Sequence, residues 1–242
     1  MALPTIVLVH GAWADGSSWD AVSTDLQAKG YAVLTPPNLL RRVTVDAPYV
    51  ASFVAQRTSG PVVLVGHSYG GFVITNAATG GGDVRALVYV DAFVPDEGEF
   101  TFQILGGSGS ALDVPDPTTV LDLAGYPDSP EGDVEAFLKP AVVHEHFAQD
   151  LPEADRALIA SSQRPITLSA NTTPSGPPAW KRLPSWAVVG TEDHVIPPAT
   201  QRSMAERAGA TITEVEASHV SMVSHPSVAV EAIVAAASSI TG

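Results

Sequence analysis

A serine framed by glycines, Gly66-His67-Ser68-Tyr69-Gly70-Gly71, is the segment of this 242-residue chain with the clearest chemical capacity. It follows the apolar run Pro61–Val65 and opens a stretch of helical spacing, Tyr69–Thr79, so the serine falls on a strand-to-helix turn. So tight a turn holds the residue at its apex in a strained backbone conformation, and side chains at positions 66 and 70 would collide with it. Gly71 further lets the helix lie close to the strand. The strain exposes the hydroxyl at the carboxyl edge of a sheet, where open α/β sheets bind ligands. The chemistry implied is nucleophilic attack by Ser68 on a carbonyl.

A serine hydroxyl attacks poorly until a base takes its proton, and imidazole suits that task near neutral pH. Among seven histidines, His219 lies just after the β-branched run Thr211–Val215, at the sheet edge expected for Ser68. His10 and His67 belong to motif turns, His144 and His146 to a central insertion, and His225 precedes Pro226 at a helix entry. The carboxylate that orients the base is expected after another strand, between serine and histidine in the chain. Asp193, in Gly190-Thr191-Glu192-Asp193-His194-Val195-Ile196-Pro197, fits; Asp91, ending the run Val84–Val90, is a topologically possible substitute.

A developing oxyanion needs backbone N–H donors aimed at it in advance. The Tyr69 amide is one candidate, and Ala12 in Val9-His10-Gly11-Ala12-Trp13 the other, with Gly11 expected to allow the turn that points the amide inward. Trp13, Phe93 and Trp180, with Tyr69, Phe100 and Phe102, are candidates for lining a substrate pocket, although core packing suits each as well. His144-Glu145-His146 is a poor metal site: residues two apart on a helix face different ways, and no third ligand accompanies them.

The elements that must hold these residues alternate. Strands are expected at Thr5–Val9, Tyr31–Leu34, Pro61–Val65 and Val84–Val90, and helices at Ser17–Lys29, Asp46–Arg57 and Tyr69–Thr79. The alternation resumes with strands Trp186–Val189 and Thr211–Val215 and helices Pro198–Ala208 and Ser227–Ala237. Such alternation predicts one mostly parallel sheet with helices on both faces, formed by residues 1–94 and 184–242. Residues 95–183 are richer in proline, Gly-Ser and acidic stretches, with helical patches at Val134–Leu138, Val142–Phe147 and Glu153–Ser161. A structureless loop of that length is rare in a compact domain, so a mostly helical lid after the fourth strand is expected.

Bulk composition sets the outer limits. The chain has no cysteine, so disulfide frameworks and thiolate metal or redox sites are excluded. Its 12 Lys and Arg against 26 Asp and Glu leave a net charge of −14, which repels nucleic acid and anionic lipid and favours neutral or cationic small molecules. Met1–Thr5 carries no basic stretch, Ile6–Val9 is too short for a leader core, and no apolar run is long enough to span a membrane; a cytoplasmic protein is expected. Nothing in the pattern specifies an oligomeric state.

Taken together, these pieces resemble the α/β-hydrolase superfamily, and within it the compact branch of plant methylesterases, hydroxynitrile lyases and bacterial carboxylesterases. The resemblance rests on Leu8–Trp13, Gly66–Gly71, Tyr89–Pro95, Gly190–Pro197 and Ser218-His219-Val220-Ser221-Met222 with Pro226, and covers nearly all the chain except the insertion. It implies a triad of Ser68, His219 and Asp193, an oxyanion hole from the Ala12 and Tyr69 amides, no cofactor, and carboxylic esters cleaved through an acyl-enzyme. The similar lyases usually carry lysine after the catalytic histidine and lack the His-Gly pair; here Val220 follows His219 and His10-Gly11 is intact, which favours hydrolysis over cyanohydrin cleavage. Aspartate-nucleophile relatives are excluded by Ser68. The same triad also serves thioester, lactone or amide hydrolysis and carbon–carbon cleavage, and some hormone receptors of the superfamily use the fold as a pocket without turnover.

Overall fold

Short β-branched runs, too brief for helices and apolar on both faces, become parallel strands buried in the middle of the molecule. The computed structural model describes residues 3–240; Met1 and Ala2, in the stretch read for a leader, and Thr241 and Gly242, at the end of the expected core, lie outside them. The first part of the chain runs β1 (Thr5–Val9), α1 (Asp20–Ala28), β2 (Val33–Leu34), α2 (Val43–Arg57), β3 (Pro61–His67), α3 (Gly70–Ala77) and β4 (Asp83–Val90). Helix α2 starts three residues earlier than its apolar spacing suggests, and the Asp46 carboxylate in its second turn accepts the Arg41 amide just ahead of the helix.

An insertion follows: α4 (Thr101–Leu105), β5 (Leu121–Ala124), β6 (Glu135–Leu138), α5 (Pro140–Val142) leading into a π-helical turn (Val143–Phe147), α6 (Glu153–Ser162), β7 (Ile166–Thr167) and α7 (Leu168–Thr172). The chain then completes the core with β8 (Ser185–Gly190), α8 (Pro198–Arg207), β9 (Thr211–Val215), α9 (Ser221–Ser224) and α10 (Pro226–Ser239).

The main sheet has the order β2-β1-β3-β4-β8-β9, and every pairing in it is parallel. From β1 the chain steps out to β2, returns past β1 to β3, and then moves steadily to β9. With right-handed crossovers, that reversal puts α1 on one face and α2, α3 and α8 on the other; accordingly α1 packs with α10 and α2 with α3. The loops leaving β1 and β3 diverge at the reversal, which is where such sheets open a crevice. Those loops carry Ala12 and Ser68. Residues Ile6–Val9, Val62–Val65 and Ala86–Val90 are buried throughout, each fully buried Val, Leu or Ile contributing about 1.5–3 kcal/mol.

The insertion is less helical than expected. It holds a three-stranded antiparallel sheet, β5-β6-β7, beside its helices. Val134–Leu138 was expected to be a helical patch, yet Glu135–Leu138 is the middle strand, burying alternate residues Ala136 and Leu138. A run of five residues fits periods of 2 and 3.6 almost equally, so the partner strands decide. Among the described residues no helix is long and apolar enough to cross a membrane.

Candidate active site

Strand β3 is followed directly by Ser68, whose φ of 52° lies in the left-handed region. Two other strand-end residues share that strain, Trp13 after β1 (φ 57°) and Asp91 after β4 (φ 45°). Such a conformation costs a non-glycine residue about 1–3 kcal/mol, so surrounding contacts must enforce it. The glycines allow those contacts. A Cβ on Gly66 would lie 2.5 Å from the Gly70 carbonyl oxygen, and one on Gly70 would lie 2.6 Å from that of Val9. Gly71 permits a close approach too, but against the loop after β4: its Cβ would sit 2.0 Å from the Phe93 carbonyl oxygen.

Three side chains from three loops meet at this edge. His219 Nε2 lies 2.8 Å from Ser68 Oγ, and His219 Nδ1 lies 2.7 Å from Asp193 Oδ2. All three groups are buried. Because a carboxylate only accepts, Nδ1 carries the ring proton toward Asp193 and leaves the Nε2 lone pair for the serine hydroxyl. Asp193 is itself fixed. Its Oδ1 accepts the amides of Val195 (2.8 Å) and Ile196 (2.9 Å), and Oδ2 also accepts Gln201 Nε2 (2.7 Å).

Asp91 does not face His219. Its Oδ1 accepts the Gly190 amide and its Oδ2 the Ser221 amide, each at 2.9 Å, so it ties the loops bearing Asp193 and His219 to the end of β4. Burial, and next the neighbouring Asp193 carboxylate, push the Asp91 carboxyl up to about 7.

The insertion grips the same loops through residues that no sequence motif marks. Gln149 Nε2 donates to the carbonyl of Glu192 (2.6 Å), and Asp150 Oδ2 accepts the amide of Ser218 (3.1 Å). Consecutive residues thus hold the positions just before Asp193 and His219. Phe147 closes against the His219 ring, with centroids 5.1 Å apart, and edge-on against Trp13. His146 turns outward to His194, their Nδ1 atoms 3.3 Å apart.

Ala12 and Tyr69 flank Ser68, and among the described residues neither amide N–H has a protein acceptor. Neighbouring amides are engaged: Gly11 donates to His67 Nδ1 and Trp13 to the Arg164 carbonyl. Trp13, not Gly11, takes the left-handed conformation; Gly11 is required because a Cβ there would lie 2.5 Å from Ser68 Cβ. His67 links the two loops, accepting from Gly11 at Nδ1 and donating through Nε2 to the His219 carbonyl (2.8 Å). Burial holds its ring well below the ordinary histidine range, in keeping with a neutral bridge. His10, also buried and held by Asn38 and Gly11, is part of the scaffold.

A cavity of about 370 Å³ opens above Ser68, walled mainly by apolar side chains of the insertion. Trp13, Phe93 and Tyr69 line it, as does Phe102. Trp180 does not: its indole N–H donates to the Pro95 carbonyl and its ring lies beside Lys181. The Tyr69 hydroxyl is likewise turned away, donating to Asp46 (2.9 Å).

Burial pushes the Asp46 carboxyl up to about 6, against hydrogen bonds from Arg41 and Tyr69 that pull it down. The folded protein therefore binds this proton more tightly than the unfolded chain, with its reference value of 3.8. Its contribution is full below pH 4 and is lost as pH rises to about 6, a fall of about 2–3 kcal/mol. Asp46→Asn is expected to flatten the urea-unfolding free energy across that window, whereas parallel curves for both proteins would contradict this.

The profile of the alpha/beta hydrolase family matches residues 6–233 of the chain. The chain is 36% identical over 115 residues to a carbendazim hydrolyzing esterase of Nocardioides sp., a match spanning 43% of this chain and 48%, about half, of that protein. It is 29% identical over 257 aligned positions to a pyrethroid hydrolase of Sphingobium wenxiniae, covering 96% of this chain and 87% of that one. Among solved structures, polyneuridine aldehyde esterase superposes with a TM-score of 0.79 at 21% identity, covering 97% of this chain and 99% of that one. A methylesterase from Arabidopsis superposes at 0.74 and 19% identity, covering 98% and 99%. At these identities the two superpositions speak for the fold.

Proposed function

The chain belongs to the alpha/beta hydrolase family, and from that premise we propose that it hydrolyses carboxylic esters through an acyl-enzyme on Ser68. The observation that carries this reading is the continuous relay Asp193–His219–Ser68 at 2.7 and 2.8 Å. The two unengaged amides beside it support the oxyanion role of Ala12 and Tyr69.

In the first half-reaction His219 Nε2 takes the Ser68 proton as Oγ bonds to the ester carbon, and negative charge collects on the former carbonyl oxygen. The Ala12 and Tyr69 amides receive that charge, each such donor being worth about 2.7–4 kcal/mol. The carbon–oxygen bond to the alcohol then breaks, and His219 gives its proton to the departing oxygen. In the second half, water loses a proton to His219, attacks the acyl carbon, and releases the acid while Ser68 regains its hydrogen. Asp193 keeps accepting from His219 Nδ1, which holds the imidazole in the tautomer that can take the serine proton.

Residues 95–183 serve as the lid of this site, a role supported by their share of the cavity wall and by the Gln149 and Asp150 contacts. Val220, buried directly after His219, adds no cation where a lyase would need one. The test is kcat/KM for p-nitrophenyl esters of increasing acyl length. An optimum that Ser68→Ala abolishes supports the reading, and turnover that survives the substitution refutes it.

A further inference from the structure

The cavity above Ser68 has walls whose polar atoms are mostly turned elsewhere. Trp13 Nε1 donates to the Ala136 carbonyl (2.9 Å), and the Tyr69 hydroxyl donates to Asp46. The Thr101 hydroxyl is sealed and, among the described residues, has no partner, so it offers the cavity no polar contact. No lysine or arginine lines the cavity among the described residues.

Asn171 is different. It stands on α7, and its Nδ2 donates to the carbonyl of Thr167 one turn back (3.1 Å). That bond fixes the amide, because the carbonyl can only accept, and it aims Oδ1 the other way. Among the described residues Oδ1 has no protein partner, yet it is not sealed, and Asn171 lines the cavity while only 8% exposed. The other polar group on the wall, the Asp113 carboxylate, is also an acceptor; one of its oxygens takes the Gly107 amide (2.7 Å). Apart from Ser68, the two amides beside it and the second N–H of the Asn171 amide, the cavity thus offers acceptors.

A ligand that complements such a surface is uncharged, largely apolar and carries its own hydrogen-bond donor. A carboxylate would face two acceptors with no cation to offset them. A wholly apolar acyl group would leave the Asn171 oxygen desolvated and unpaired, which a site that recognises a hydroxyl penalises strongly. We propose that Asn171 is a specificity-determining residue that accepts a hydrogen bond from an O–H or N–H group on an otherwise apolar ester. The inference deepens the esterase reading and rests on it.

The experiment compares p-nitrophenyl 3-phenylpropanoate with its 2-, 3- and 4-hydroxyphenyl and matching methoxyphenyl analogues. The methoxy group is of similar reach but cannot donate. At least one hydroxy ester is expected to exceed both the parent and its methoxy partner in kcat/KM by about 5- to 10-fold, the scale of one net hydrogen bond. Asn171→Leu should bring that ratio to about one. The same order of preference is expected in dissociation constants measured by calorimetry on Ser68→Ala, where no turnover is needed and Asn171 is intact. No preference for any hydroxy isomer, in either measurement, overturns the proposal, as does a preference that Asn171→Leu leaves in place. Failure of every ester to turn over, with the binding preference present, would instead count against the esterase reading alone.

Discussion

Asp193→Asn is expected to lower kcat by about 10⁴-fold while leaving the protein folded, the scale seen when a triad acid is made an amide. The reason lies in how the carboxylate is held. Its Oδ1 accepts two backbone amides, from Val195 and Ile196, so an asparagine must keep its oxygen there. The new NH₂ then falls where Oδ2 faced His219 Nδ1 and Gln201 Nε2. Donor meets donor, and His219 can relieve the clash only by moving its proton to Nε2. An imidazole in that tautomer points N–H at Ser68 and cannot take the serine proton.

Asp91→Asn tests the rival acid and should behave differently. Each of its oxygens accepts one backbone amide, from Gly190 and Ser221, and an asparagine can satisfy only one of them. The result is a stability loss of about 1–3 kcal/mol from the orphaned amide, with a much smaller effect on turnover. A mild Asp193→Asn beside a crippling Asp91→Asn, in kcat and in thermal melts of the same preparations, would mean that the acid is misassigned.

Gly71→Ala is expected to cost more than about 4 kcal/mol, which places it among the exceptional single substitutions. The added methyl would lie 2.0 Å from the Phe93 carbonyl oxygen and 3.0 Å from its carbon. Both are backbone atoms, so no rotamer change relieves the overlap. The two segments are also pinned together, since the amides of Gly71 and Phe93 both donate to the Ser68 carbonyl, at 2.9 and 3.3 Å. Moving α3 away from the β4 loop therefore breaks the bonds that hold the turn at Ser68. Gly125→Ala is the control, because its backbone is ordinary and nothing lies within 4 Å of the added methyl. Urea midpoints should drop steeply for the first variant and stay near the parent for the second; equal midpoints would refute the packing argument.

What could be read from the sequence was what local physics writes there. Buried parallel strands appear as unbroken β-branched runs, and the turn at Ser68 as glycines at the positions where a Cβ has no room. His219 and Asp193 were then picked as residues just after strands, the aspartate also by the expected chain order serine, aspartate, histidine. The insertion was harder because β5, β6 and β7 are at most four residues long and acquire their identity from partners elsewhere in the chain. Gln149 and Asp150 carry no local signal at all; they matter because a tertiary approach sets them against Glu192 and Ser218. Gln201 was missed for the same reason, as a helix residue that reaches back eight positions to Asp193. Trp180 shows the opposite error. An aromatic residue near a site suggests a pocket wall, but the direction of its ring is set by where its N–H finds an acceptor, here Pro95.

In the proposed mechanism Ser68 becomes acylated. A single-turnover reaction with a p-nitrophenyl ester, quenched in acid on the millisecond scale and digested for mass spectrometry, tests it most directly. The acyl mass is expected on the peptide containing Ser68, forming with the p-nitrophenol burst and decaying as the free acid appears. Turnover with no adduct at any quench time, or an adduct on another residue, would contradict it.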